Sequence, residues 1–118
     1  MYDHIGIKVT DLDASVRFYR AALAPLGHVL CCSDDTSAGL GPEGAPALWL
    51  YRGDSRGAAT HIAFRAGDPA AVQRFHAAGL AAGGRDNGGA GPRPDYSPSY
   101  YAAFLLDPDG NNVEAVHT

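Results

Sequence analysis

With 118 residues the chain is sized for one folded unit with its own core, and 46% hydrophobic against 19% charged residues excludes a disordered tail protein. A formal net charge of −4, with no run of Lys or Arg, excludes the electrostatic footprint of a nucleic-acid binder. The longest strongly apolar stretch, Tyr100 to Leu106, is too short to span a bilayer, so no membrane partner is expected.

The chain runs straight into His4-Ile5-Gly6-Ile7 with no basic and then apolar lead-in, which predicts a cytoplasmic protein. Met1–Val9 alternates as a strand does, with Ile5, Ile7 and Val9 on one face and His4, Gly6 and Lys8 on the other. Asp11 or Asp13 then caps a helix whose apolar stripe is Leu12, Val16, Tyr19 and Leu23. Leu26–Cys32, Ser37–Leu40 and Ala47–Tyr51 read as three further strands. Cys31 and Cys32 point to opposite faces of the first of these. A bridge between them would be strained, and two reduced thiols packed as small hydrophobes are expected.

The same pattern then begins again. Shifted by 57 positions, residues 4–27 fall on residues 61–84 without a gap: His4 on His61, Ile5 on Ile62, Asp11 on Asp68, Phe18 on Phe75, Leu23 on Leu80 and Gly27 on Gly84. Asp68-Pro69 starts a second helix with proline at its first position and Val72, Phe75 and Gly79 on its inner face. Gly84–Asn87, Tyr100–Leu106 and Asn112–His117 complete the second set of strands. Gly41-Pro42-Glu43-Gly44 resembles Asp107-Pro108-Asp109-Gly110 at an offset of 66, and each reads as a tight turn. The nine extra positions fall in Arg85–Pro98, a Gly/Pro-rich segment expected to be a loop, either a lid or a disordered stretch. The expectation is an α+β chain of two βαβββ modules, about 1–56 and 57–118, within a single domain 1–118.

The repeat also frames the chemistry. His4 and His61 open equivalent strands, and period-2 alternation turns both away from the helices. Glu114 shares their side if Val113 and Ala115 of the last strand pack against a helix. Two imidazoles and one carboxylate form a facial ligand set for a divalent ion (Fe, Mn, Ni or Zn), although the same residues would also suit a solvated sheet face. Tyr100 or Tyr101, depending on register, projects toward the same space, where a phenol can stabilise or protonate an oxyanion; packing is the other role open to it. Trp49, and Asp95 with Tyr96 on the long segment, are candidates for contacting a small-molecule ligand. His28 and His76 read as surface residues, and His117 lies near a terminus expected to fray.

These motifs (His4-Ile5-Gly6-Ile7 with Asp11-Leu12 and Phe18-Tyr19, then Asp107-Pro108-Asp109-Gly110-Asn111 with Val113-Glu114) resemble the vicinal oxygen chelate superfamily, which includes glyoxalases, bleomycin-resistance proteins and extradiol dioxygenases. The resemblance covers essentially the whole chain. It implies eight strands curled into one mixed sheet with the helices outside, and homodimerisation to complete a cup. It also implies a divalent metal on His4, His61 and Glu114. A further ligand of glyoxalase-type members would fall, by the 66-residue offset, on Leu48, so that ligand is absent. The implied function is a metal-dependent lyase, isomerase or dioxygenase acting on a molecule with vicinal oxygens. The alternative is a metal-free, bleomycin-resistance-type protein that sequesters a ligand in a dimer groove. The acidic charge and the aromatic residues would suit a cationic ligand there.

Overall fold

In the computed structural model, which describes residues 1–54 and 60–118, the chain order is strand, helix and three strands, twice. The first module has β1 (Ile5–Val9), α1 (Leu12–Leu23), β2 (Val29–Ser33), β3 (Ser37–Gly41) and β4 (Leu48–Arg52), with a 3-10 turn at Ala24–Leu26 after α1. The second has β5 (His61–Arg65), α2 (Pro69–Ala81), β6 (Arg85–Pro92), β7 (Tyr101–Leu106) and β8 (Asn112–His117). The expected boundary between modules, at 56–57, lies outside the described residues. Among the described residues no helix is long and apolar enough to cross a membrane.

The eight strands divide into two four-stranded mixed sheets of identical design, β1-β4-β3-β2 and β5-β8-β7-β6. In each, the first strand pairs parallel with the last and the remaining pairs are antiparallel. Each helix starts on an aspartate whose carboxylate takes a backbone N–H: Asp11 from Ala14 (3.0 Å) and Asp68 from Ala71 (2.7 Å). Between Asp11 and Asp13, the first is the cap. The buried face of α1 is Leu12, Ser15, Phe18, Tyr19, Ala22 and Leu23, with Val16 only partly covered. That of α2 is Ala71, Val72, Phe75 and Gly79. With Leu40, Leu50, Leu105 and Val113 these side chains build one core spanning both modules, each large one contributing about 1.5–3 kcal/mol.

The closing turn of the second module, Asp107 to Asn111, ties the modules together. Asp107 is 1% exposed. Its Oδ1 accepts the N–H groups of Asp109 (2.9 Å) and Asn111 (2.8 Å), while Oδ2 accepts Asn111 Nδ2 (2.8 Å) and the Tyr19 hydroxyl of α1 (2.6 Å). Asp109 in turn accepts the backbone N–H and hydroxyl of Thr10 (3.1 and 2.6 Å). Burial, with the Asp107 carboxylate beside it, holds the Tyr19 phenol well above the ordinary pKa of a tyrosine. The first-module counterpart keeps the turn shape, with Gly44 and Gly110 both at positive φ, but has Gly41 where the second has Asp107.

Several sequence expectations change. The first strand begins at Ile5 and not at Met1, since Met1 and Tyr2 are exposed and pairing starts with the Ile5 N–H to Ala47 O bond. The segment expected to be a loop from Arg85 to Pro98 carries strand β6 through Pro92, paired with β7 across two register shifts. Only residues 93–100 form turns. His28 and His76, expected on the surface, are partly buried. The His28 Nδ1 is buried without a partner, its ring beside Phe64, and burial lowers its pKa. His76, 17% exposed, joins α2 to β6 through Asp86 (2.9 Å). His117 does not fray: it lies in β8, with its ring on Ala66 O at 3.2 Å.

Candidate functional site

The ladder pairing decides which side chains share a face. In the second sheet His61 lies opposite Asn112, Ala63 opposite Glu114, and Phe104 opposite Glu114 from the other side. His61, Glu114 and Phe104 therefore face away from Ile62, Val113 and Leu105, which are in the helix-packed core. His61 Nε2 stands 3.2 Å from Glu114 Oε2. The His61 ring is half exposed, while Glu114 is only 3% exposed.

Glu114 is held on both oxygens. Tyr100 donates its hydroxyl to Oε1 at 2.6 Å, and that bond, with burial second, pushes the Tyr100 pKa up to about 12. Tyr96 packs edge-on against Tyr100, with ring centroids 5.1 Å apart at 86°. The register thus chooses between the two tyrosines. Tyr100 reaches Glu114, whereas the Tyr101 hydroxyl accepts a bond from Gln73 of α2 on the helix side of the sheet (2.9 Å).

The His61 ring makes a second contact that fixes its chemistry. Its Nδ1 lies 3.2 Å from the carbonyl oxygen of Asn112, which only accepts, so Nδ1 carries the hydrogen. Nε2 then meets the Glu114 carboxylate either as a second N–H or as a lone pair with a cation between them. An imidazole that gives one N–H to a backbone carbonyl and turns its other nitrogen toward a carboxylate has the arrangement of a metal-ligating histidine.

The first sheet fills the equivalent place differently. Gly6 pairs with Trp49 as Ala63 pairs with Glu114, so the counterpart of Glu114 is Trp49, and not Leu48 as the turn offset of 66 suggested. Leu48 points into the core, 4% exposed. The Trp49 and Tyr51 rings lie near-parallel, 15° apart with centroids at 6.3 Å. They lie over glycines: a Cβ at Gly39 would come within 3.1 Å of the indole, and one at Gly6 within 2.8 Å of the Tyr51 ring. His4 precedes β1, and its Nδ1 bonds Asp3 at 2.6 Å. It lines a recess of about 190 Å³ with His28, Ile62, Ala63 and Phe64. Among the described residues no group of three or more His, Cys, Asp or Glu side chains is placed to hold a metal ion. One chain thus brings His61, Glu114 and Tyr100 together and leaves His4 apart; Asp95 is exposed.

The family model of the Glyoxalase/Bleomycin resistance protein/Dioxygenase superfamily matches residues 2–115. The chain belongs to that superfamily. No curated protein has a matching sequence. Among solved structures, a glyoxalase/bleomycin resistance protein from Albidiferax ferrireducens T118 is 30% identical, with 100% of this chain and 98% of that one covered and a TM-score of 0.83. A mutant glyoxalase I from Zea mays is 26% identical over 96% of this chain and 44% of its own, with a TM-score of 0.71. A family enzyme from Burkholderia phytofirmans PsJN shares the fold at 18% identity and a TM-score of 0.74, covering 97% and 95% of the two chains.

Within this superfamily member, sequence reasoning missed two contributors to the second sheet's face. The Asn112 carbonyl carries no side-chain signal and is found only from the ladder. Arg93 was hidden in a segment read as loop; its signal was a cation between two prolines of a Gly/Pro-rich stretch, shortly before the return strand β7.

Proposed function

We propose that this chain is a metal-dependent enzyme of the glyoxalase/dioxygenase type, acting on a small molecule with vicinal oxygens. The observation that carries this reading is the buried Glu114 carboxyl, set 3.2 Å from His61 Nε2 while the opposite nitrogen of that ring is engaged by a backbone carbonyl. The donor chemistry fits Fe, Mn, Ni or Zn. His61 and Glu114 would hold the ion from one chain, and a second copy, packed as a homodimer, would bring His4 as the third ligand.

A bound divalent ion supplies Lewis-acid polarisation of two neighbouring substrate oxygens. The chain's own residues set the frame around it. Tyr100 keeps its proton at ordinary pH and fixes the Glu114 carboxylate, which makes it a positioning residue with a hydroxyl in reserve. Tyr96 covers Tyr100, and the Asn112 carbonyl fixes the orientation of the His61 ring. The second reading is a metal-free protein that sequesters a small ligand in a dimer groove. It is favoured by the flat Trp49/Tyr51 surface, which takes the place of a second carboxylate in the first module.

Metal content separates the two. The purified protein is dialysed against each of Mn(II), Ni(II), Fe(II) and Zn(II) and its metal measured by mass spectrometry. Near-stoichiometric metal that disappears in His61→Ala and Glu114→Ala is expected. A wild type that retains none would leave the sequestering protein as the standing reading.

A further inference from the structure

We infer that Arg93 is an anion-recognition residue of the His61/Glu114 site, so that the substrate is a small, planar carboxylic acid; this rests on the proposed catalytic role of that site. Arg93 lies just after β6, and its backbone N–H bonds the carbonyl of Tyr100 at 2.8 Å, which places it directly across the turn from the residue that holds Glu114. Its guanidinium lies over the Phe104 ring, 5.5 Å from the centroid, and Phe104 is the cross-strand neighbour of Glu114 on the same face.

The guanidinium is seated in a cradle of main chain. Nη2 donates to Gly89 O (2.8 Å), and Nη1 donates to Gly91 O (3.0 Å) and Pro92 O (3.4 Å). The glycines leave the cradle uncrowded: a Cβ at Gly88 would stand 3.3 Å from Nη2, a tight contact, and one at Gly91 3.4 Å from Nη1. Three carbonyls satisfy three of five N–H directions and leave the unit charge uncompensated. Among the described residues no carboxylate pairs with it. Glu114, by contrast, has both oxygens engaged, by Tyr100 and His61.

A fixed, uncompensated guanidinium with free N–H directions is built for a carboxylate, the planar anion its fork matches. Tyr96, Tyr100 and Phe104 supply an aromatic wall beside it, which favours a flat molecule. The acid is thus anchored at Arg93, and its vicinal oxygens lie at His61 and Glu114. The overall charge of −4 suggested a cationic ligand; the Arg93 guanidinium on this face suits an anion instead.

The test compares benzoate with benzamide, which share a shape and differ in charge. Wild-type protein should bind benzoate at least about tenfold more tightly, and Arg93→Met should abolish that preference without weakening benzamide. Arg93→Lys should keep part of it. Equal affinities in the wild type, or a preference that survives in Arg93→Met, would make Arg93 only a staple of β6. Should Arg93→Met fail to fold, the Arg93 Nε–Hε nuclear resonance of the wild type decides: saturable movement with benzoate alone supports the assignment, and indifference to both overturns it. Metal content is measured on the same samples, so a protein that selects benzoate but holds no metal would refute the enzyme reading and not the anion site.

Discussion

The two modules share one fold and differ in what they place on it. In the second, the face away from the helices carries His61, Glu114, Tyr100 and Arg93 within one connected set of contacts. In the first, the ladder position matching Glu114 holds Trp49, laid beside Tyr51 over glycines. His4, the counterpart of His61, sits ahead of its strand and bonds its own neighbour Asp3. A duplicated supersecondary unit thus preserved the core and the caps in both copies, while polar chemistry is concentrated in one and an aromatic surface in the other. The same asymmetry holds at the turns, where buried Asp107 has only Gly41 as its counterpart.

The comparison breaks most visibly in metal binding. Loss of Glu114 or His61 should cost more than the about 10–100-fold expected of outer-shell changes, and Tyr100→Phe should fall within that range by freeing the carboxylate. The matching stability contrast lies in the turns. Asp107→Ala strands the Tyr19 hydroxyl and two backbone N–H groups and should destabilise the protein by about 3 kcal/mol or more. Glu43→Ala in the first module's turn should stay within about 0.5 kcal/mol. Paired denaturant melts of the two variants check this, and equal losses would remove the asymmetry.

A smaller effect concerns alkaline pH. Tyr19 and Tyr100 hold their protons more tightly folded than unfolded, so their contribution is complete below about pH 10, the ordinary tyrosine value. It is lost as pH rises through the folded values, about 12 for Tyr100. In an absorbance titration both should ionise above the ordinary tyrosine value, Tyr100 at about pH 12. Ionisation of either near the ordinary tyrosine value would contradict its hydrogen bond to a carboxylate.

The repeat made much of this legible. An ungapped offset of 57 residues located both first strands and both helices, the aspartate caps followed from local chemistry, and period-2 alternation put His61 and Glu114 on one side. Strand register was beyond it. The similarity of two turns suggested Leu48 as the partner position of Glu114, whereas the ladder selects Trp49, because equivalence in a sheet is set by hydrogen bonding and a one-residue slip exchanges faces. Register also separates Tyr100 from Tyr101. Only the start of strand β6 was legible, as Gly84–Asn87, because Gly88-Gly89-Ala90-Gly91 has low strand propensity; the pairing and the Arg93 cradle hold the rest. The Asp107-Pro108-Asp109-Gly110-Asn111 motif was read as a tight turn and as a mark of the family resemblance. Its side chains are spent on joining the modules, which only tertiary contacts reveal.

The most direct test of the chemical half of this asymmetry is to titrate the isotopically labelled protein with substoichiometric Mn(II) and follow paramagnetic broadening of its backbone amide resonances. The account expects the signals of His61, Ala63, Asn112, Val113, Glu114 and Tyr100 to fade first, with those of the exposed Asp34 and Asp35 persisting. Broadening that starts at the exposed acidic residues, or that spares Glu114, would contradict it.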